Sequence, residues 1–166
     1  RRLCEVADSR KAGGYRIFTL IDTEGPVPAA GQFYMLAAAP DWAGEGGRPY
    51  LPRAISYASV IENPKGGVRL DFLIDEVGPG TSRLAGMKQD DECFVAGPFG
   101  NRFSLPRQLN EGAAGAILVG GGIGIAPMAV LRRELVNRGI PSRSLLGFRD
   151  QAHSGGVEEL FGCEET

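Results

Sequence analysis

Histidine and cysteine are scarce in this sequence, one and three residues among 166, and no long apolar run occurs. Each shortage excludes something. Cys4, Cys93 and Cys163 are odd in number, far apart and in no paired spacing, so they supply neither a disulfide framework nor a metal or cluster ligand set, and read as reduced structural thiols. The single histidine, His153, falls in the polar stretch from Gln151 to Gly156 and reads as solvated. No segment reaches the roughly 20 consecutive apolar residues of a transmembrane helix, and the Arg1-Arg2-Leu3-Cys4-Glu5 start leads into no signal-peptide core. The expected location is therefore cytoplasmic. A charge surplus is also missing: 18 basic against 20 acidic residues leave a net charge of −2, which supplies no bulk attraction to nucleic acid or to an anionic membrane.

What is present is an ordinary globular composition, 43% hydrophobic and 23% charged, with enough chain for one good core or two small ones. The 25 glycines and 11 prolines lie between apolar runs without forming a repeat, which predicts many short strands joined by turns. Over the first hundred or so residues those runs are 15–21, 32–37, 54–60, 68–74 and 92–96. Such spacing predicts an antiparallel all-β unit over residues 1–107, closed into a Greek-key barrel that removes exposed edges. After Pro106 the pattern changes. Ala116 to Val119 is wholly apolar, residues 126–136 carry Met128, Leu131, Leu135 and Val136 at helical spacing, and 144–148 form a second strand-like run. This predicts a right-handed βαβ unit within residues 115–166, a partial parallel α/β nucleotide-binding domain with only two of the usual five or six strands. The fold class is thus mixed β and α/β. The stretch from Glu158 to Thr166 looks like the start of a further helix, so the chain reads as a piece of a longer protein.

Three segments could carry chemistry. The run from Ala116 through Gly120-Gly121-Gly122-Ile123-Gly124-Ile125-Ala126-Pro127-Met128 reads as buried strand, tight turn and helix start, a layout that turns backbone N–H groups and a helix N-terminus toward a phosphate. Gly122 and Gly124 permit positive φ and close ligand approach, and Pro127 fits the first helical turn. Second, Arg53-Ala54-Ile55-Ser56 opens a strand: the guanidinium can grip a pyrophosphate, and the hydroxyl can bond a ring nitrogen. Alternation along a strand turns Arg53 and Ser56 to opposite faces, so both serve one ligand only where the strand bends. Third, Gly78-Pro79-Gly80-Thr81 leads into a helix with Thr81 as its expected N-cap and offers a further phosphate contact, although Asp75 and Glu76 before it would repel an anion. Read singly, each segment also fits a structural turn or an ordinary strand.

Taken in order, Gly31-Gln32-Phe33-Tyr34-Met35-Leu36, Arg53-Ala54-Ile55-Ser56, Gly78-Pro79-Gly80-Thr81, Gly97-Pro98-Phe99-Gly100-Asn101-Arg102-Phe103, Val119 to Met128 and Leu146-Gly147-Phe148-Arg149 resemble the ferredoxin–NADP reductase superfamily. Within it they look most like the electron-transfer subunits of class B dihydroorotate dehydrogenases. The resemblance implies a flavin-binding barrel followed by a nicotinamide-nucleotide domain. FAD would be held by Arg53, Ala54, Ile55 and Ser56, by Leu73, Ile74 and Asp75, and by Gly80 and Thr81, while Gly122, Gly124 and Pro127 would lie at the NAD pyrophosphate. It further implies electron traffic between NAD(H) and a partner dehydrogenase through FAD, in pyrimidine biosynthesis, with a catalytic dihydroorotate dehydrogenase subunit as partner in a heterotetramer. The family's [2Fe–2S] cluster needs four ligands, which this sequence does not supply. No catalytic acid, base or nucleophile is required of the chain.

Departures from the family pattern are Ala54 where proline is usual, Tyr57 where an aliphatic residue is usual, and the acidic Asp75. Arg149-Asp150, after the second strand, offers both the basic and the acidic partner by which ribose 2′ groups are told apart, and the resemblance favours NAD. Two other readings remain open: the flavin subunit of another redox complex, of sulfhydrogenase or ferredoxin–NADP reductase type, and a docking module without flavin.

Overall fold

The computed structural model describes residues 1–39, 51–64, 66–106, 115–155 and 157–161. Six strands, β1 (Arg2–Ala12), β2 (Tyr15–Asp22), β3 (Phe33–Ala38), β4 (Arg53–Glu62), β5 (Val68–Ile74) and β6 (Glu92–Phe99), close into a barrel in the order β1-β2-β5-β4-β3-β6. Every pairing is antiparallel, and β6 closes the ring by pairing with both β1 and β3. The first helix, α1 (Pro79–Gly86), lies between β5 and β6 in the chain. Beyond the barrel come β7 (Ala116–Gly121), a 3₁₀ turn at Gly122–Gly124, helix α2 (Ile125–Asn137), β8 (Ser142–Gly147) and two short helices, α3 (Gln151–Ser154) and α4 (Val157–Phe161). β7 and β8 pair in parallel, as a βαβ unit requires. The proposed division near residues 107–115 lies almost wholly outside the described residues, as do Cys163 and Arg48-Pro49-Tyr50.

β1 is the strand that periodicity does not reveal. Its sequence RLCEVADSRKA is short of large apolar residues, because only Cys4, Val6 and Ala12 are buried along it. Pairing on both sides, with β2 and β6, holds it in place. The register sets Cys4 directly opposite Cys93, so two cysteines far apart in sequence are cross-strand neighbours with free thiols. Burial pushes both thiols up to about 12, which keeps them protonated and unreactive.

β2 explains why the second unit docks where it does. Phe18 and Leu20 point into the barrel, while Tyr15 and Ile17 face outward and are still buried. The outward pair joins Ala58 of β4 and Leu73 of β5 in a second cluster completed by Ile125, Ala126 and Ala129 of α2 and Leu160 of α4. Each large side chain removed from water in this way contributes about 1.5–3 kcal/mol. Farther along α2, Val130, Leu131 and Leu135 extend the barrel's own core. The opposite face of β7 and β8 carries Ile117, Val119 and Leu145, which are more than half exposed.

Tyr34, wholly buried, has a hydroxyl with no hydrogen-bond partner among the described residues. Its ring stacks edge-on against Tyr57 and Phe72, so the ring is the part the core uses. Tyr34→Phe is expected to leave stability unchanged or raise it by about 1 kcal/mol, because a polar group is no longer stranded. A urea midpoint that falls by more than that would show that the hydroxyl is bonded.

Candidate functional site

The barrel parts between β4 and β5. β4 pairs with β3 from Arg53 to Ser56 but with β5 only from Tyr57 onward, and the β4–β5 register shifts between Tyr57 and Ser59. The two strands therefore diverge before Tyr57, and between them lies a cavity of about 330 Å³ lined by Ala54, Ile55, Ser56, Leu73, Asp75, Val77, Thr81, Ile123, Gly124 and Pro127. Three consecutive residues of β4 line it, which a regular pleated strand facing one ligand would not permit. The strand is irregular just past this cavity, which Ser56 lines and Arg53 does not.

Eight of the twelve expected site residues line this cavity. Arg53 and Gly80 stand at its rim: the guanidinium occupies the space in front of Gly80, where a Cβ would lie 2.3 Å from Arg53 Nε, and Arg53 Nη1 donates to the Leu51 carbonyl at 2.6 Å. An arginine thus lies across the first turn of α1, whose Gly80 and Thr81 N–H groups have no partner within the helix. Thr81 is not the N-cap expected from sequence. Gly78 takes that position, and the Thr81 hydroxyl folds back to accept from Val77 N and Gly78 N and to donate to Gly78 O. It steadies the turn, leaving its own N–H as the group available to a ligand.

Two expected residues stand apart. Ile74 points into the barrel core between the outward Leu73 and Asp75, as alternation dictates. Gly122, at φ +53°, faces Tyr15 across the 3₁₀ turn. Gly124, by contrast, has nothing in front of it: a Cβ there would meet no atom within 4 Å. Val77 and Ile123 were not foreseen. Both are apolar and substantially exposed at the cavity, 71% and 44%, and only their position distinguishes them from ordinary loop residues.

The acidic residues near the site do not repel as expected, since each has a cation. Asp75 lies 3.5 Å from Arg149 Nη2, and Glu76 lies 3.6 Å from Arg16 Nε. His153 is likewise not solvated. It is 7% exposed, its Nδ1 donates to Asp150 Oδ1 at 2.6 Å, its Nε2 accepts from Arg149 Nη2, and its ring meets the Tyr15 ring edge-on at 4.8 Å. Donation from the His153 side chain and backbone holds the Asp150 carboxyl below its usual range. Asp150 also caps α3 through the His153 N–H. Arg149 and Asp150 are therefore engaged with His153 and Asp75, while their side chains stay 60% and 49% exposed.

No family model matches the sequence. Curated relatives do. The electron-transfer subunit of dihydroorotate dehydrogenase B (NAD(+)) from Bacillus caldolyticus is 35% identical over 118 residues, 71% of this chain and 44% of the relative. The corresponding subunit from Clostridium acetobutylicum is 38% identical over 107 residues, 64% of this chain and 37% of the relative. Among solved structures, the NADH-dependent reduced ferredoxin–NADP oxidoreductase superposes with a TM-score of 0.73 at 24% identity, covering 96% of this chain and 53% of that one. The chain has the ferredoxin reductase-like fold and is similar in sequence to part of those electron-transfer subunits. It spans less than half the length of the curated relatives it matches.

The ferredoxin reductase-like fold extends to the ferredoxin reductase in carbazole 1,9a-dioxygenase, with a TM-score of 0.74 at 23% identity over 95% of this chain and 45% of that one. In this chain that architecture, a six-stranded barrel beside a small parallel sheet with helices, brings the Arg53–Ser56 segment, the α1 turn and the glycine loop to one cavity. No helix among the described residues is long and apolar enough to cross a membrane.

Proposed function

We propose that the chain is the flavin-binding part of an electron-transfer subunit, moving electrons between NAD(H) and a partner dehydrogenase through FAD. The observation that carries this reading is the convergence at the cavity. A flat heteroaromatic ring needs apolar surface on its faces and hydrogen-bonding groups around its rim. Ile55, Leu73, Val77, Ile123 and Pro127 supply the first; the Ser56 hydroxyl and the backbone edges of β4 and β5, freed where the strands diverge, supply the second. Arg53 and the first turn of α1 form a charged rim suited to the pyrophosphate of the same cofactor. The donor set fits FAD.

FAD, when bound, accepts an electron pair and releases electrons singly, which no side chain of this protein can do. The chain's own part is placement. Ala54 to Ser56, with Leu73 and Asp75, would fix the ring between two diverging strands, and Arg53 with the Gly80 and Thr81 N–H groups would fix the phosphates. Ile123 and Pro127 would cover the ring and keep water from it, and Gly124, with open space before it, would admit a nicotinamide nucleotide at the glycine loop. Asp75, neutralised by Arg149, leaves the cavity without an unpaired carboxylate.

The relatives' names support a finer reading. The redox partner would be a catalytic dihydroorotate dehydrogenase subunit, the nucleotide NAD and the pathway pyrimidine biosynthesis. The resemblance also implies an iron–sulfur cluster in the full-length family. In this chain Cys4 and Cys93 are committed to the barrel core. Purified protein supplied with FAD is expected to retain the visible absorption of bound flavin after desalting. Protein that remains colourless would overturn the reading and favour a docking module without flavin.

A further inference from the structure

We infer that Tyr15 contacts ligand at the glycine loop, its hydroxyl donating to an oxygen of the ribose–pyrophosphate backbone of a nicotinamide dinucleotide. The inference rests on the nucleotide reading above and adds a residue from the barrel to a site otherwise built from β7, the 3₁₀ turn and α2.

Three tyrosine rings are buried among the described residues, and their hydroxyls meet three fates. Tyr57 donates to the Pro28 carbonyl at 3.1 Å, and Tyr34 is enclosed without a partner among the described residues. Tyr15 is 3% exposed, its oxygen is not one of the buried atoms left without a partner among the described residues, and it is the atom nearest to a Cβ built on Gly122, 3.9 Å away. A side chain at Gly122 would occupy the space between this hydroxyl and the loop, so glycine there leaves the approach open. The core needs only the ring at position 15, and phenylalanine would provide that. The hydroxyl lies on the loop side of that ring.

The ring is held in one place. Its edge-on partner His153 is fixed through Nδ1 by Asp150 and through Nε2 by Arg149, and Gly14 leaves room for the imidazole: a Cβ there would lie 2.8 Å from His153 Nδ1. The hydroxyl therefore needs little ordering when a ligand arrives. Burial, and after it the Asp75 carboxylate, raises the Tyr15 pKa, so the group stays protonated and acts as a donor. A neutral donor also suits this spot, where Asp75, Asp150 and Arg149 already sit within interaction range.

The test is a calorimetric titration of FAD-loaded protein with ADP-ribose and with NADH, comparing wild type, Tyr15→Phe and, as a control for a core hydroxyl, Tyr34→Phe. Tyr15→Phe is expected to weaken both ligands about tenfold while FAD affinity and Tm stay at wild-type values, and Tyr34→Phe is expected to leave both ligands unaffected. Equal affinities for Tyr15→Phe and wild type would overturn the role of Tyr15 alone. Wild-type protein that binds flavin but neither nucleotide would overturn the nucleotide reading, and Tyr15's role with it.

Discussion

An Arg53→Ala variant is expected to bind FAD about 10- to 100-fold more weakly than wild type, with its unfolding midpoint little changed. The argument starts from local geometry. Arg53 opens β4 beside the cavity, its Nη1 is anchored on the Leu51 carbonyl, and its guanidinium lies against Gly80 in the first turn of α1. A hydrogen bond to a charged group is worth about 1.5–3 kcal/mol, and the positive end of the helix adds to the same field. Little of the fold depends on the side chain, which is only partly buried, so the loss should appear in binding rather than stability. Two companion variants separate charge from placement. Arg53→Lys keeps the charge but lacks the planar fork, and should recover only part of the affinity. Gly80→Ala keeps the arginine but places a Cβ where its Nε now lies, and should lower FAD affinity while Tm holds, because the flexible guanidinium can swing aside. Quenching of FAD fluorescence on titration measures all three. An unchanged Kd for Arg53→Ala would remove Arg53 from the pyrophosphate site.

The largest stability effect is expected from Arg2→Met, which should cost about 3–5 kcal/mol. Arg2 grips Asp22 through Nε at 2.9 Å and Nη2 at 2.6 Å, and Nη2 also donates to the Gly97 carbonyl at 2.9 Å. One side chain on β1 thereby joins the end of β2 to β6 where the barrel closes. The Asp22 side chain is only 1% exposed, so removing its partner strands a carboxylate away from water. The chain is packed tightly around that carboxylate: a Cβ on Gly25 would lie 2.1 Å from Asp22 Oδ2. The double variant Arg2→Met/Asp22→Asn should recover part of the loss, since no charge is then left behind. Urea unfolding measures the difference. A single variant within 1 kcal/mol of wild type would mean that water reaches Asp22 despite its burial.

The functional segments differ in how far their neighbourhoods could be read from the chain. Arg53-Ala54-Ile55-Ser56 is recognisable as a motif, but alternation alone sets Arg53 and Ser56 on opposite faces. Ser56 lines the cavity, with Arg53 at its rim, where β4 and β5 part ahead of the irregularity after Tyr57, which no periodicity announces. The turn at Gly78 to Thr81 is legible as a helix start, yet the capping role fell to Gly78, because the Thr81 hydroxyl is taken up by three bonds within the turn. His153 was read as solvated because its sequence neighbours are polar. Its buried surroundings come from Tyr15 and Gly14, more than 130 residues earlier in the chain. Tyr57, unusual at its position, is a core residue whose hydroxyl is satisfied by Pro28. Ala54, with its small side chain, simply lines the cavity.

From sequence alone came the antiparallel barrel, the βαβ unit after it, the glycine loop and most of the residues of the candidate flavin site. Apolar period, turn residues and local motifs are properties of short segments, and they survive without knowledge of the fold. Only the tertiary structure decided that β1 is a strand, that Cys4 faces Cys93, that Asp75 is neutralised by Arg149 and that Tyr15 looks onto Gly122. Each of these is a pairing between residues distant in the chain. Strand register and the docking of α2 on the barrel set such pairings, and no segment carries them by itself.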